Sequence, residues 1–169
     1  MHYKIVLVGD VAVGKTSLIN RFVKGFFTES YKATIGVDIF TKEISINGQE
    51  VNLQVWDIAG QTSFQQFRQR FFSGARGALL VFDLTIPQSL TSLHSSWIQD
   101  IGNTAGKIPL VLIGNKLDLT DLLIVKPNAV YSLLEQHPNI TSYFRTSAVT
   151  GENVEKAFHE LASIIISIS

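Results

Sequence analysis

Gly9-Asp10-Val11-Ala12-Val13-Gly14-Lys15-Thr16-Ser17 has the residue types and spacing to hold a polyphosphate. Two glycines with four residues between them are followed at once by Lys and Thr, the Gly-x-x-x-x-Gly-Lys-Thr pattern of a phosphate loop. Backbone N–H groups from Asp10, Val11, Ala12, Val13, Gly14, Lys15, Thr16 and Ser17 are expected to wrap a β-phosphate, helped by the N-terminus of a following helix. Lys15 adds a point charge between β- and γ-phosphates, and the Thr16 hydroxyl is a hard oxygen ligand for Mg²⁺. Val11 and Ala12 put side chains where close backbone approach favours none.

Further along, Gly114-Asn115-Lys116-Leu117-Asp118 offers a second piece of chemistry. A carboxylate at Asp118 can accept from two N–H groups on one purine edge, a pair that guanine presents and adenine does not. Two charge-assisted hydrogen bonds give roughly 3–5 kcal/mol, a preference of ~10² to 10⁴ for guanine. Alone, Asn-Lys-x-Asp is equally well a solvated turn. At a strand's carboxyl end, in a chain that also has a phosphate loop, it reads guanine.

Both stretches need elements that bring them together. Tyr3–Val8 reads as a buried strand, Lys15–Lys24 as a helix with Leu18, Ile19 and Phe22 on one face, and Gly25–Gly36 as a loop. Asp38–Ile46 and Val51–Trp56 alternate around Asn47-Gly48, a hairpin signal. After a Gly- and Gln-rich segment come a strand at Ala78–Phe82, a helix over Pro87–Asn103 and a strand at Pro109–Ile113. A helix near Asn128–Gln136, a strand near Ser142–Arg145 and a helix from about Glu152 follow. This predicts one α/β domain over residues 1–169: an open, mostly parallel six-stranded sheet with one antiparallel edge strand and five helices on both faces. Ligands of such sheets bind outside the carboxyl ends of the strands, here residues 9–17, 57–61, 115–118 and 146–149.

Composition narrows the field. Lys plus Arg and Asp plus Glu both number 14, with no basic run, so a general nucleic-acid role is not expected. The chain has no cysteine, hence no disulfide and no prenyl or palmitoyl site within these residues. His2 follows Met1, leaving no glycine to myristoylate. The run Ile5–Val8 is too short for a signal peptide, and no window is apolar for long enough to span a membrane. Asn139-Ile140-Thr141 matches a glycosylation sequon that is not expected to be used. The expected place is the cytoplasm, peripheral on endomembranes where a lipidated tail or a partner supplies attachment.

Five motifs stand in order. Besides Gly9–Ser17 and Asn115–Asp118, the chain has Thr34, Asp57-Ile58-Ala59-Gly60-Gln61 and Thr146-Ser147-Ala148. On these residues it resembles a small GTPase of the Ras superfamily across essentially its whole length. Thr34-Ile35-Gly36-Val37-Asp38, Trp56-Asp57 and the opening Gly9-Asp10 are similar to the Rab branch. No Gly at position 2 disfavours the Arf branch, and no insert after Asp118 disfavours the Rho branch.

The resemblance implies a P-loop GTPase fold, GTP or GDP as ligand, Mg²⁺ as cofactor and a role as a molecular switch in vesicle trafficking. It implies Mg²⁺ ligation by Thr16 and Thr34, with Asp57 acting through a water, and a γ-phosphate contact from Gly60. Gln61 orients the attacking water, so the catalytic set is Gln61, Lys15, Gly60 and Thr34. Phe27 packs edge-on against the base unless Phe26 does, and Tyr31 closes over the phosphates. Ala148 donates to the guanine carbonyl, while Ser147 and Val149 complete that loop. Residues 27–37 and 58–68 are the parts released on hydrolysis. Effectors, an exchange factor and a GTPase-activating protein are expected to read residues 27–40 and 56–72. Trp56 and Phe71 match two of an aromatic triad whose third position holds Ile39; either they form an exposed patch or they pack under the second switch.

The departures divide the expectations. Val11 stands where Ras proteins carry glycine and most Rabs serine, so it either crowds Gln61 or an incoming arginine finger, or is accommodated. Val149 replaces a lysine along the base and is expected to weaken nucleotide affinity without changing its specificity; Ile58 and Thr62 are expected to retune regulator contacts. The favoured function is a slow GTP-hydrolysing switch. The alternative is a guanine-nucleotide-dependent binding module with little turnover, and a P-loop phosphotransferase or ATPase would leave Asn115 and Asp118 without a task.

Overall fold

Strand β1 (His2–Val8) has Ile5, Val6, Leu7 and Val8 all shut off from solvent. Alternate residues face opposite sides of a sheet, so both sides must be covered, as parallel sheets with crossover helices are. The computed structural model, which describes residues 1–27 and 36–169, has this form. Its six-stranded sheet runs β2-β3-β1-β4-β5-β6. The strands are β2 Val37–Ile46, β3 Gln49–Ile58, β4 Gly77–Asp83, β5 Leu110–Asn115 and β6 Ile140–Arg145. Every neighbouring pair is parallel except β2 with β3. Their turn is Asn47-Gly48 with φ of 51° and 79°, the positive values a two-residue hairpin needs.

Ile5 and Leu7 face a cluster with Leu18 and Phe22 of α1 (Lys15–Lys24) and Phe158 and Leu161 of the last helix, Val154–Ser167. The Phe22 and Phe158 rings stack there with centroids 4.0 Å apart. Val6 and Val8 face the opposite cluster, with Phe72, Leu90, Trp97 and Leu133. That side is covered by residues 62–72, the long helix of Pro87–Ala105, and Pro127–Gln136. Residues 62–72 are a chain of short turns around α2 (Gln65–Arg68), too irregular to show a helical period in sequence.

We label the helices that follow α3 (Pro87–Ser92 continuing through Ile98–Ala105), α4 (Pro127–Gln136) and α5 (Val154–Ser167). Several strand ends differ from expectation by one or two residues, and two helices differ in a way that has a visible cause. A π turn at Leu93–Trp97 interrupts α3 and ends on the buried Trp97. Helix α5 begins at Val154 rather than Glu152, because Gly151 and Asn153 have φ of 85° and 59°, which no right-handed helix accepts. Tyr31 and Thr34 lie outside the described residues.

Candidate functional site

The carboxyl ends of β1, β3, β5 and β6 lead into residues 9–17, 59–61, 116–118 and 146–149 at one end of the sheet. After Val8 the backbone changes hand, with φ of 67° at Ala12 and 99° at Gly14. Such changes of hand make successive N–H groups converge into an anion-binding nest. Gly14 also has to be glycine, because a Cβ there would sit 2.4 Å from Asn115 Nδ2. Gly60 meets the same loop from the other side: a Cβ would lie 2.5 Å from the Val11 nitrogen. The segment that starts at Gly60 therefore begins with its backbone against the phosphate loop's backbone.

Lys15 is almost fully buried, and its ammonium donates to the carbonyls of Gly9 (2.7 Å) and Asp10 (3.1 Å). Burial pushes its pKa from 10.5 down to about 8, while the carboxylates of Asp57 and Asp10 pull the other way. Negative charge from a polyphosphate in the nest would raise that pKa again, because it favours the ammonium. The Thr16 hydroxyl donates to Asp57 Oδ2 at 2.5 Å, and Asp57 has no solvent exposure. With its proton directed at that carboxylate, the Thr16 oxygen is oriented as an acceptor. A hydroxyl and a carboxylate side by side are hard donors that suit Mg²⁺, which takes few protein ligands and fills its shell with water and phosphate. Among the described residues no cluster of three or more His, Cys, Asp or Glu forms a cage for a metal.

Asn115 is 2% exposed and acts as a strut. Its Nδ2 donates to the Val13 carbonyl at 3.0 Å, and its Oδ1 accepts from the Thr146 hydroxyl at 2.9 Å. Lys116 reaches back to the Ala12 carbonyl at 2.7 Å and pairs with the buried Asp83 at 2.8 Å. Asp118 Oδ1 accepts from the Ser147 hydroxyl at 2.7 Å, and Ser147 Oγ accepts in turn from the Thr150 amide at 3.0 Å. Ser147 and Ala148 are buried, whereas Val149 is exposed. Phe27 is half-buried against the α1 side of the core and Phe26 is exposed, so the two adjacent rings part company.

Gln61 is half-buried, and its carbonyl accepts from the Phe64 amide at 3.0 Å. Val11 is 48% exposed, in the loop that Gly60 touches. Trp56 and Phe71 are both half-buried on the rim of the core, ring centroids 6.3 Å apart, with Phe64 stacked on Phe71 at 5.6 Å. The side chains that face out most around them are Ile39, directly opposite Trp56 in the β2–β3 ladder, and Phe67.

Sequence reasoning missed two supports. The Trp97 indole donates to Asp10 Oδ1 at 3.1 Å, tying α3 to the phosphate loop. Arg68 lies over that indole at 3.6 Å, forms a 2.7 Å ion pair with Asp100 and bonds to Ser96 Oγ. A tryptophan on the buried side of a helix has the pattern of core filling, and Asp10 is 87 positions away. No local signal links the two.

A sequence model of the Ras family matches residues 4–167. The chain is 40% identical over 166 residues to Ras-related protein Rab-30 of Homo sapiens, covering 98% of this chain and 80% of that protein. It is 39% identical over 170 residues to Ras-related protein Rab-7a of Paramecium octaurelia, covering 98% and 82%. Against Ras-related protein Rab-1 of Theileria annulata it is 38% identical over 164 residues, covering 96% and 74%. On that match over nearly the whole chain and these identities, the chain belongs to the Ras family, as a Rab-like, GTP-hydrolysing small GTPase.

Proposed function

We propose that residues 1–169 work as one unit, a switch whose guanine nucleotide lies along the carboxyl ends of β1, β3, β5 and β6. Backbone groups of residues 10–17 and the Lys15 ammonium hold the phosphates, while Thr34 and the Gly60 N–H respond to the γ-phosphate. Thr16, Thr34 and Asp57 would hold Mg²⁺, which when bound neutralises charge on the β- and γ-phosphate oxygens. Gln61 orients the water whose oxygen attacks the γ-phosphorus, and the bond to the β–γ bridging oxygen breaks, giving GDP and phosphate. At the base end Asp118 accepts from N1–H and the 2-amino group, and Ala148 N–H donates to the 6-oxygen. Phe27, Asn115, Lys116, Ser147 and Val149 complete that end, and Tyr31 covers the phosphates.

The observation that supports this reading best is the Asn115 strut, bonded at once to Val13 of the phosphate loop and Thr146 of the base loop. A ligand long enough to touch both ends gains from that rigid spacing. Effectors and regulators read residues 27–40 and 56–72, where Ile39 and Phe67 offer exposed apolar surface. Membrane attachment comes from a tail beyond Ser169 or from a partner; among the described residues no helix is long and apolar enough to cross a bilayer.

The first test is to denature the purified protein and identify the released nucleotide by chromatography. GDP or GTP is expected, and adenine nucleotide would sink the guanine assignment. A second reading, a binding module with little turnover, is favoured by the exposed Val11 next to the Gly60 contact.

A further inference from the structure

Arg21 belongs to none of the five motifs, yet it touches the base loop. It lies near the end of α1, whose first turn carries Lys15 and Thr16. Five residues of helix beyond Thr16 carry it about 7–8 Å along the axis, from the phosphate end towards the base end. There its Nη2 donates to the Thr150 carbonyl at 3.1 Å. The guanidinium also lies against Gly151: a Cβ on that glycine would fall 2.4 Å from Nη2, 2.8 Å from Nε and 2.9 Å from Cζ. Gly151 has φ of 85° and so serves twice, by turning the chain and by making room for the guanidinium.

The turn that Arg21 grips has a tight internal frame. Gly151 N–H donates to the Ser147 carbonyl at 2.8 Å, Thr150 N–H to Ser147 Oγ at 3.0 Å, and Ser147 N–H to the Glu152 carbonyl at 3.2 Å. The Ser147 hydroxyl in turn donates to Asp118 Oδ1 at 2.7 Å. The frame fixes the turn's shape, and Ala148 packs in the same core cluster as Leu18 and Phe22 of α1. Arg21 adds a directional, polar tether from the helix that begins at the phosphates. Val149, exposed at the crest, has no polar end with which to anchor the loop.

We propose that Arg21 is a positioning residue for the base end of the nucleotide. Seated on Gly151 and bonded to Thr150, it sets the Ser147–Gly151 turn so that Ala148 N–H and the Ser147-braced Asp118 carboxylate meet guanine together. The inference rests on the proposed guanine site. It makes α1 a ruler that ties the spacing of the base loop to the phosphate loop.

The test compares wild type, Arg21→Ala and Gly151→Ala, each loaded with fluorescent GDP or with the diphosphate of 2-aminopurine riboside. That analogue lacks the 6-oxygen that Ala148 would meet and the N1–H that Asp118 would accept. Both variants are expected to release GDP roughly tenfold faster, about one ordinary hydrogen bond's worth. Release of the analogue should change less than about twofold. A residue that merely supports the fold would speed both ligands alike. Equal acceleration, or none, with normal GDP binding by the wild type overturns the role of Arg21 alone. A wild type that holds no guanine nucleotide overturns the site and this inference with it. Should Arg21→Ala not fold, Gly151→Ala answers from the opposite side of the same contact.

Discussion

Val11 is the residue at which the two proposed readings of turnover part. It is exposed, and a Cβ on Gly60 would fall 2.5 Å from its backbone nitrogen, so Gly60 sits against the residue that carries this branched side chain. An arginine finger is worth roughly 10³- to 10⁵-fold in rate in the Ras and heterotrimeric families, which sets how much crowding there could cost. Single-turnover hydrolysis of pre-bound GTP is expected to be slow in the parent and at least about tenfold faster in Val11→Gly, the fold-change that 1.4 kcal/mol of barrier represents. Equal rates would mean that the loop accommodates valine and that the timed switch is unimpaired. Gly60 provides the complementary experiment. Alanine there meets backbone on the phosphate loop rather than a flexible side chain, so one loop has to retreat. Gly60→Ala is expected to keep GDP binding and lose most GTP hydrolysis, because the contact that moves belongs to the γ-phosphate side. Normal hydrolysis by Gly60→Ala would remove Gly60 from the catalytic set.

Among the elements, α3 carries more of the site than its motif-free sequence suggests. Its Trp97 holds Asp10, and its Asp100 holds Arg68 of the second-switch segment in an ion pair whose arginine is only 3% exposed. Removing one partner of a buried pair leaves a charge without compensation, typically at a cost of about 3–5 kcal/mol. Asp100→Ala should therefore destabilise the GDP-loaded protein by that amount in denaturant titrations. A loss below about 1 kcal/mol, the range of exposed pairs, would show that the pair is solvated in practice. The same helix meets the end of α4 through His94 and His137, whose ring nitrogens are 2.9 Å apart. Burial, then the neighbouring His94, lower the pKa of His137 below the usual imidazole value. Below about pH 6.5 the unfolded chain thus binds more protons at this position than the folded one, so stability falls as pH drops and rises as pH increases. The melting temperature is expected to be lower at pH 5.5 than at pH 7.5, and less so in His137→Gln. An unchanged pH difference in that variant would rule the pair out as the cause.

Across the whole molecule, what was legible in sequence was whatever is encoded within a few residues. The limits of α1, Lys15–Lys24, follow from the phosphate loop before it and Gly25 after it, and the hairpin follows from Asn47-Gly48. The antiparallel edge strand is legible as well, since only the hairpin joins two strands without a crossover, whereas the order of the remaining strands has no local signal. Nor are the braces legible: Asn115 meets Val13 across 102 positions and Arg21 meets Thr150 across 129, distances at which no period or spacing carries information. These braces make a thermodynamic prediction that no single loop would make. If loops from β1, β3, β5 and β6 hold one ligand, as proposed above, nucleotide should stabilise the fold as a unit by RT ln(1 + [L]/Kd). At a thousandfold excess over Kd this is about 4 kcal/mol, and at about 2–4 °C per kcal/mol for a chain of this size the melting temperature should rise by roughly 8–16 °C. With GDP and Mg²⁺ the full rise is expected in a single transition. Chelating Mg²⁺ should return part of it, because Thr16 and Asp57 would lose the ion they are arranged to hold. ADP at equal concentration should give little shift, since Asp118 would find no paired donors. A shift of the same size with ADP would mean that the phosphates alone carry the binding and that the Asp118–Ser147 pair is a turn brace only. Two separate transitions with GDP would mean that the Asn115 strut does not join the two ends of the site into one cooperative body.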